Sequence, residues 1–394
     1  MTPTGIQDNL HGADRRTGPG HTKIRGRAQT GSVSRRRRIA LFAALVALAP
    51  APALAHVKWF ENESRYPVRA DLVLGSRTGI LMVVCIVALA LLYGLQRVVG
   101  DPHWPDLRVF KGMAIGAPTL LAVQAAIGLA YAAVQPTLFA PNLRLHPTVL
   151  GLALVITQIC IAFTFITGIG DWIGALTLIA LGPLAFLLFP PFDVMDLLFW
   201  AGIGVIVLII GRQAVEGGQA RPWFQARSAA WPARAVAALR VITGVAIISP
   251  ALSEKVWNPA LGAIFLAHHP AFNFVRNYLG LSWFTTDRFV LAAGVAEALI
   301  GVLLISGFLT RVVILGMWLP FNLGVPFLPP QELLGHLPIF GIMYFLLVHS
   351  SGIALGESLH RPGLPGSPSE ETERAATGAP RVAMAARHED VILP

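Results

Sequence analysis

The chain has 394 residues, of which 55% are hydrophobic and only 13% are charged, and its mean hydropathy is +0.64. Soluble domains are about a quarter charged, so this composition excludes a water-soluble globular protein, and it excludes disorder for most of the chain because disorder requires low hydrophobicity. The formal net charge is +9, but much of the excess lies in the first forty residues, which indicates targeting and membrane topology and excludes a nucleic-acid-binding face.

The N-terminal part of the chain is predicted to contain a polar tail followed by a leader that resembles a signal peptide. Residues 1–34 are polar and show no hydrophobic periodicity, so we predict that they are disordered. Residues 35–55 have the order of a signal peptide: a basic run from Arg35 to Arg38, an apolar run from Ile39 to Ala49 that is too short to span a membrane, and small residues up to Ala55.

Cleavage after Ala55 is the favoured outcome, because Pro50 and Pro52 would break a longer helix. His56 would then be the mature N-terminus, on the outer side, and an uncleaved signal anchor is the alternative. An N-terminal histidine binds copper if a second histidine is near, but no such ligand is close in sequence. The favoured interpretation of His56 to Phe60 is therefore an interfacial anchor.

Nine apolar runs predict nine transmembrane spans, which must be helical because lipid offers no partners to the backbone. The predicted fold class is all-α, a polytopic transmembrane helix bundle. Cys85 and Cys160 both lie within spans, so no disulfide framework and no CxxC motif is available. The predicted spans are 78–96, 112–134, 148–170, 173–190, 195–211, 235–256, 288–310, 312–328 and 336–355.

The charges of the loops orient the bundle. Residues 212–234 carry four arginines against one acid, Glu216, so we predict that this basic loop is cytoplasmic. Residues 56–107 then form an outer segment and the first transmembrane helix, and residues 356–394 form a disordered cytoplasmic tail. The sequence thus predicts a multi-pass protein of a bacterial inner membrane, with the mature N-terminus outside.

An internal repeat divides the spans. The pattern from Arg108 to Pro118 recurs from Arg240 to Pro250, with six positions matching at identical spacing, and Ile166-Thr167-Gly168 corresponds to Ile305-Ser306-Gly307. We predict two parallel four-helix units, at 108–211 and 235–355, preceded by one extra helix. Chance similarity between Gly-rich helices is the alternative.

Glu297 is the clearest ionisable residue inside a predicted span, roughly ten residues or about 14 Å into its helix. It is either a proton-carrying acid in a ligand pocket or a structural hydrogen-bonding group between helices. Its counterpart in the first unit is the uncharged Gln158. Counting depth along the helices predicts Ser249, Lys255 and Asn322 as its neighbours, and predicts that Arg240 extends to the cytoplasmic headgroups.

The outer loop, residues 257–287, is rich in aromatic residues. It is predicted to form short interfacial helices. A plain aromatic belt is the favoured interpretation, and a lid over a lipophilic ligand is the alternative. A metal or haem site is a further alternative, because five histidines fall on the outer side, but no metal-binding spacing is present. The residues predicted to contact a cofactor are Phe272, Phe274, Trp283 and His336.

Several polar positions of the second unit recur at the spacing of a known family. They are Arg240-x3-Gly244, Ser253-Glu254-Lys255, Ala293 to Glu297 with Gly301, Ser306-Gly307-x2-Thr310-Arg311, Asn273, Asp287 and Glu332 to His336. Over about 120 residues this unit resembles the DoxX family of small bacterial membrane proteins. The resemblance implies a four-helix membrane bundle, related to the membrane subunit of thiosulfate:quinone oxidoreductase and to members associated with thiol and oxidative-stress complexes.

The resulting hypothesis is a redox-associated membrane subunit, quinone- or thiol-linked, that supports a partner oxidoreductase in the lipid bilayer. Glu297 would exchange a proton with a bound group, with Lys255, Ser249 and Asn322 beside it. Whether the chain is itself an enzyme stays open. Quinone is the cofactor the resemblance favours, ahead of haem or copper, and a small-solute or proton-coupled transporter and a structural subunit without a ligand site are the alternatives.

Overall fold

A computed structural model describes residues 57–61, 65–99, 108–212, 230–277, 279–324 and 330–349. Within these, only the backbone is described at 95–99, 108–112, 114–115, 274, 319–324 and 330–332. The predicted N-terminal tail, the leader and the predicted cytoplasmic tail lie outside the described residues, as does most of the basic loop.

The described residues are helical and contain no strand beyond one isolated bridge between Thr137 and Arg144. Two 3-10 helices, Val57–Trp59 and Pro270–Phe272, and one π-helix, Ala251–Val256, accompany the α-helices. The α-helices are α1 Ala70–Val73, α2 Ser76–Val99, α3 Arg108–Val134, α4 Val149–Thr167, α5 Asp171–Leu188, α6 Pro191–Met195, α7 Phe199–Ile209, α8 Trp231–Pro250, α9 Pro259–His268, α10 Phe274–Asn277, α11 Thr286–Ser306, α12 Thr310–Gly324 and α13 Pro330–His349.

Six helical stretches are long and apolar enough to cross a membrane, which makes this a multi-pass membrane protein by length and composition. They are Ala70–Gly94, Gly116–Val134, Val149–Thr167, Asp171–Leu188, Trp231–Val256 and Thr286–Ser306. A helix occupies each of the nine predicted spans, but α7 has 11 residues, α12 has 15, and the apolar stretch of α13, Leu333–His349, is also shorter than the roughly 18 residues a span needs. The structure therefore supports six membrane-spanning helices, and the count of nine stays a prediction.

Contacts between helices form two closed sets of four. In the first set α3 packs against α4, α4 against α5, α5 against α7, and α7 against α3. In the second set α8 packs against α11, α11 against α12, α12 against α13, and α13 against α8. The sets meet where α3 contacts α13 and where α7 contacts α8, and α2 packs on α11 outside both sets.

Local signals explain where several helices begin and end. Thr148 and Thr285 accept a hydrogen bond from a backbone N–H of the first turn of α4 and α11. Gly168 and Gly307 end the same two helices in the left-handed conformation, at φ of 78° and 76°, where a side chain would be strained.

Lipid-facing side chains are apolar, as expected in hydrocarbon. Helix α2 contacts the rest of the protein along one side only, and its outward side chains are large and aliphatic. The exposed ones include Ile80, Met82, Val83, Ile86, Val87 and Leu91. Because a water-soluble helix would not expose such a run, these apolar surfaces indicate contact with membrane lipid.

The bundle has two ends, which we call the Lys58 end and the Arg240 end. The Lys58 end holds Val57 to Glu61, the turn between α5 and α7, and the chain from Ala251 to Thr285. The Arg240 end holds Arg240 and the turns that follow α4 and α11.

Candidate functional site

A short segment, Val57 to Glu61, lies inside the Lys58 end and is called the strap below. Val57 and Lys58 are buried, at 2% and 5% exposure. The backbone N–H of Val57 donates to Oε2 of Glu254 at 2.7 Å. The expectation that His56 to Phe60 form an interfacial anchor is therefore wrong for Val57 and Lys58, because they are enclosed by protein; His56 lies outside the described residues.

Aromatic side chains hold the rest of the strap. The ring of Trp59 packs 4.9 Å from that of His336 and fills the space beside Gly335. The ring of Phe60 packs 5.6 Å from that of Phe265 on α9. The strap thus joins α9 to α13 across the Lys58 end.

The ammonium group of Lys58 is the centre of a buried charged site. Its Nζ donates to the carbonyl oxygen of Phe192 at 3.0 Å and to Oδ1 of Asp193 at 3.1 Å, and it forms an ion pair with Oδ2 of Asp196. A third carboxylate, that of Glu254, lies 3.9 Å away. Asp193 and Asp196 come from the turn between α5 and α7, so this contact ties the strap to the first set of helices.

The charges continue from Lys58 toward the middle of the bundle. Lys255 Nζ lies 4.0 Å from Oε2 of Glu254 and donates to Oε2 of Glu297 at 2.8 Å. Glu297 lies eleven residues after the start of α11, which is about 16 Å along the helix and half of its length. We call the six side chains the charged chain: Asp193, Lys58, Asp196, Glu254, Lys255 and Glu297.

A break in helix geometry positions two members of the charged chain. Pro250 ends α8, and the next six residues form a π-helix. The backbone N–H of Trp257 accordingly bonds the carbonyl oxygen of Leu252, five residues earlier. Proline removes a backbone donor and perturbs the preceding turn, and π-helical turns are frequent at functional sites. The wider turn places Glu254 and Lys255 toward different neighbours.

The charged chain holds more acids than bases. Four carboxyl groups face two ammonium groups, and the side chains are between 1% and 9% exposed. Oε1 of Glu297 and Oε1 of Glu254 have no hydrogen-bond partner. Uncompensated buried charge is costly, so this arrangement favours the binding of protons or of another cation.

The surrounding carboxylates keep Lys58 charged. Burial alone would lower the pKa of its ammonium group, but Asp196, Glu254 and Asp193 outweigh that effect and hold the pKa above its usual value.

The three residues predicted to lie beside Glu297 differ in where the structure places them. Lys255 pairs with it directly. Ser249 is buried at 3% exposure and faces the carboxylate of Asp196, so it lies beside the charged chain. Asn322 lies on α12, and its side chain is outside the described residues.

Arg240 does not extend to the headgroups as the sequence suggested. Its side chain is fully buried, and its Nη1 donates to the carbonyl oxygens of Leu304 and Ile305 at 2.6 and 3.1 Å. It thereby caps the last turn of α11, where free carbonyl groups and the helix dipole favour a cation.

The residues predicted to contact a cofactor are not brought together. Phe272 is buried between Phe265 and the strap, and Trp283 is 59% exposed beside Phe284. His336 is buried against Trp59, and the side chain of Phe274 lies outside the described residues. The outer loop does form short helices, α9 and α10, as expected.

Four members of the charged chain were not predicted as site residues: Lys58, Asp193, Asp196 and Glu254. Among them, only Glu254 was named from the sequence, as part of the family resemblance. The available signal was an acid at the edge of an apolar run: Asp196 and Glu254 lie within two residues of the end of a predicted span, and Asp193 lies between two spans. Lys58 gave no such signal.

Gln158 is the residue that the sequence repeat predicts as the counterpart of Glu297. Gln158 is fully buried, accepts a hydrogen bond from the N–H of Phe139 and donates to the carbonyl oxygen of Thr137, both at 2.9 Å. It therefore fixes the loop after α3 and satisfies its own amide, which makes it a structural residue.

No protein-family model matches the chain, and comparisons with curated proteins and with solved structures find no match either. Among the described residues, no group of three or more His, Cys, Asp or Glu side chains is placed to hold a metal ion. The site must therefore be interpreted from its own chemistry.

Proposed function

We propose that this chain is a DoxX-like membrane subunit that takes up and releases protons at Glu297 in support of a quinone- or thiol-linked oxidoreductase. One observation carries the proposal: the charged chain leads from the Lys58 end to Glu297 half-way along α11, with two carboxyl groups in excess of its lysines. Intramembrane carboxyl groups in contact with other ionisable groups are typical of proton relays.

The redox setting of the proposal comes from the family resemblance of the second unit. The positions on which it rests include Glu254, Lys255 and Glu297, which are members of the charged chain. A quinone takes up protons when it is reduced, and a thiol releases one when it is oxidised. A buried acid that exchanges protons suits either partner.

A duplicated architecture is part of the proposal. It is supported by the matching cycles of contacts in the two sets of helices. It is also supported by the ends of α4 and α11, where Thr167 and Ser306 accept hydrogen bonds from Ile169 and Phe308, two residues on. We propose nine spans, two four-helix units, a leader cleaved after Ala55, and insertion in a bacterial inner membrane.

The test is the substitution Glu297→Gln in the purified full-length protein, which keeps the shape and removes the proton. We expect the variant to unfold at nearly the wild-type temperature, to retain bound quinone if any copurifies, and to lose proton uptake upon a pH change. Infrared difference spectra measure this as the loss of one carboxyl C=O band. An unchanged carboxyl band in the variant would reject the role of Glu297.

Thr157→Val is the matched control, because the Thr157 hydroxyl is exposed and bonds only the carbonyl oxygen of Ala153 in its own helix. This variant should keep the wild-type band.

A proton-coupled transporter is the second candidate, and the π-helix favours it. Transporters carry interrupted helices whose irregular backbone lies at the site of the coupling ion, and Ala251–Val256 places Glu254 and Lys255 at such an interruption. Uptake of a solute into proteoliposomes that depends on a proton gradient and on Glu297 would favour transport over the redox role.

A further inference from the structure

Two glycines bring α8 and α11 into backbone contact one turn beyond Glu297. A Cβ atom at Gly244 would lie 2.6 Å from the carbonyl oxygen of Gly301, and a Cβ atom at Gly301 would lie 2.6 Å from that of Gly244. Real Cβ atoms do not approach oxygen so closely, so only glycine allows this approach. These two helices leave no room for water between them at this level.

Aliphatic side chains close the same level. A Cβ atom at Gly301 would meet Cγ1 of Ile248 at 2.6 Å, and one at Gly244 would meet Cγ1 of Ile305 at 2.7 Å. The nearby hydroxyl of Thr243 is buried and has no hydrogen-bond partner, so it does not link Glu297 to the Arg240 end. We call Gly244, Ile248, Gly301 and Ile305 the seal.

A positive charge lies beyond the seal. The guanidinium of Arg240 is fully buried, bonded to Leu304 and Ile305, and in contact with Gly307. A fixed cation in a narrow polar path opposes the passage of protons and cations. The charged side chains along α8 and its π-helical extension therefore differ between the two ends: ionisable acids lie at the Lys58 end, and a buried arginine lies at the other.

We infer that the charged chain is closed toward the Arg240 end, so that Glu297 exchanges its proton with the aqueous compartment at the Lys58 end alone. This inference rests on the proposed function and narrows it to a one-sided proton donor and acceptor. The charged groups that bear on Glu297 are Lys255, Glu254 and Asp196. Among the side chains of α2 that the structure describes, the basic one is Arg77, which is paired with Asp287 at the first turn of α11.

The experiment uses the full-length protein in liposomes sorted by orientation. Helix α13 ends at the Arg240 end, so an affinity tag after Pro394 separates vesicles that expose that end from vesicles that expose the Lys58 end. The external pH is stepped with a membrane-impermeant buffer, and the Glu297 carboxyl band is recorded. We expect the band to respond in vesicles that expose the Lys58 end and to be silent in the others.

Each outcome has a distinct meaning. A response of the band in both orientations overturns the inference and leaves proton binding at Glu297 intact. The same holds if valinomycin drives a proton flux that exceeds the flux in protein-free liposomes and that disappears in the Glu297→Gln variant. A band that responds from neither orientation, nor in detergent, overturns the proposed function as well.

Substitutions in the seal give a second readout. Ile248→Ser and Ile305→Ser place a small polar group beside the glycine contact, and we expect each to produce a proton leak that Glu297→Gln abolishes. The matched control is Ile242→Ser on the opposite side of α8, beside Gly202 of α7, which should not leak. A leak in the control equal to that of the seal variants, or none in any variant, counts against the seal.

Discussion

Lys58 shows how a charge is accommodated inside a hydrophobic protein. Its ammonium group has three acceptors, the carbonyl of Phe192 and the carboxylates of Asp193 and Asp196, and its side chain is 1% exposed. A buried ion pair offsets the free-energy cost of its desolvation only when such contacts are complete. Removing one partner is therefore more damaging than the net value of the pair.

Replacing Lys58 with methionine keeps the length of the side chain and removes the charge. We expect a loss of about 3–5 kcal/mol in the free energy of unfolding at neutral pH, because Asp193, Asp196 and Glu254 lose a shared counter-ion. Chemical denaturation in detergent measures this. Arg65→Met removes the same charge from an exposed position and should cost no more than about 0.5 kcal/mol.

The difference in unfolding free energy between wild type and Lys58→Met should depend on pH with a defined sign. The pKa of Lys58 is raised, so its stabilisation is complete below the usual lysine pKa of about 10.4 and is lost only when the pH rises through the higher folded value. The Lys58 ammonium group therefore keeps its charge in the folded protein up to about pH 10. The deficit of Lys58→Met should shrink at the acidic end, because protonation removes the unpaired negative charge. A deficit independent of pH would count against the ion pairs.

At the scale of elements, the pair α8 and α11 carries both the site and its closure. The π-helix after Pro250 directs Glu254 and Lys255 into the charged chain, and the glycine contact lies one turn beyond Glu297. Arg240 then caps α11 with two hydrogen bonds. Along its length, this one helix pair thus carries first the ionisable side chains, then the close glycine contact and then a positive charge.

The glycine contact predicts a strong position dependence of Gly→Ala substitutions. Gly301→Ala should destabilise the protein by about 1–3 kcal/mol, because its Cβ would force α8 and α11 apart. Gly316→Ala on α12 meets no atom within 4 Å and should be neutral or stabilising by up to about 1 kcal/mol, because alanine favours the helix. Thermal unfolding of the two variants in the same detergent measures the difference, and equal effects would argue against backbone contact.

At the scale of the whole molecule, two sets of four helices share one pattern of contacts but differ in chemistry. The contact between α7 and α8 brings Asp193 and Asp196 of the first set to Glu254, which follows α8. Gln158, the predicted counterpart of Glu297, is an uncharged residue of the first set. The charged chain is therefore built between the sets, and the strap completes it.

The proposed topology can be tested by cysteine labelling. In a background where Cys85 and Cys160 are replaced by alanine, Asn277→Cys lies at an exposed site of the Lys58 end, and Ser228→Cys lies in the basic loop. We expect a membrane-impermeant maleimide to label Asn277→Cys in intact cells and to label Ser228→Cys only after the membrane is permeabilised. The reverse pattern would invert the topology and, with it, the compartment that supplies protons to Glu297.

The sequence by itself determined the class of the molecule, the approximate positions of its helices and the closeness of Lys255 to Glu297. These follow from local properties, namely the length of apolar runs, helical rise and the depth of each residue along its span. Only the tertiary structure decided that Lys58 joins Asp193, Asp196 and Glu254, because Lys58 lies 135 to 196 positions away from them along the chain. The burial of Arg240 was likewise a matter of packing, since the turn that receives its guanidinium lies on another helix, 64 residues further on.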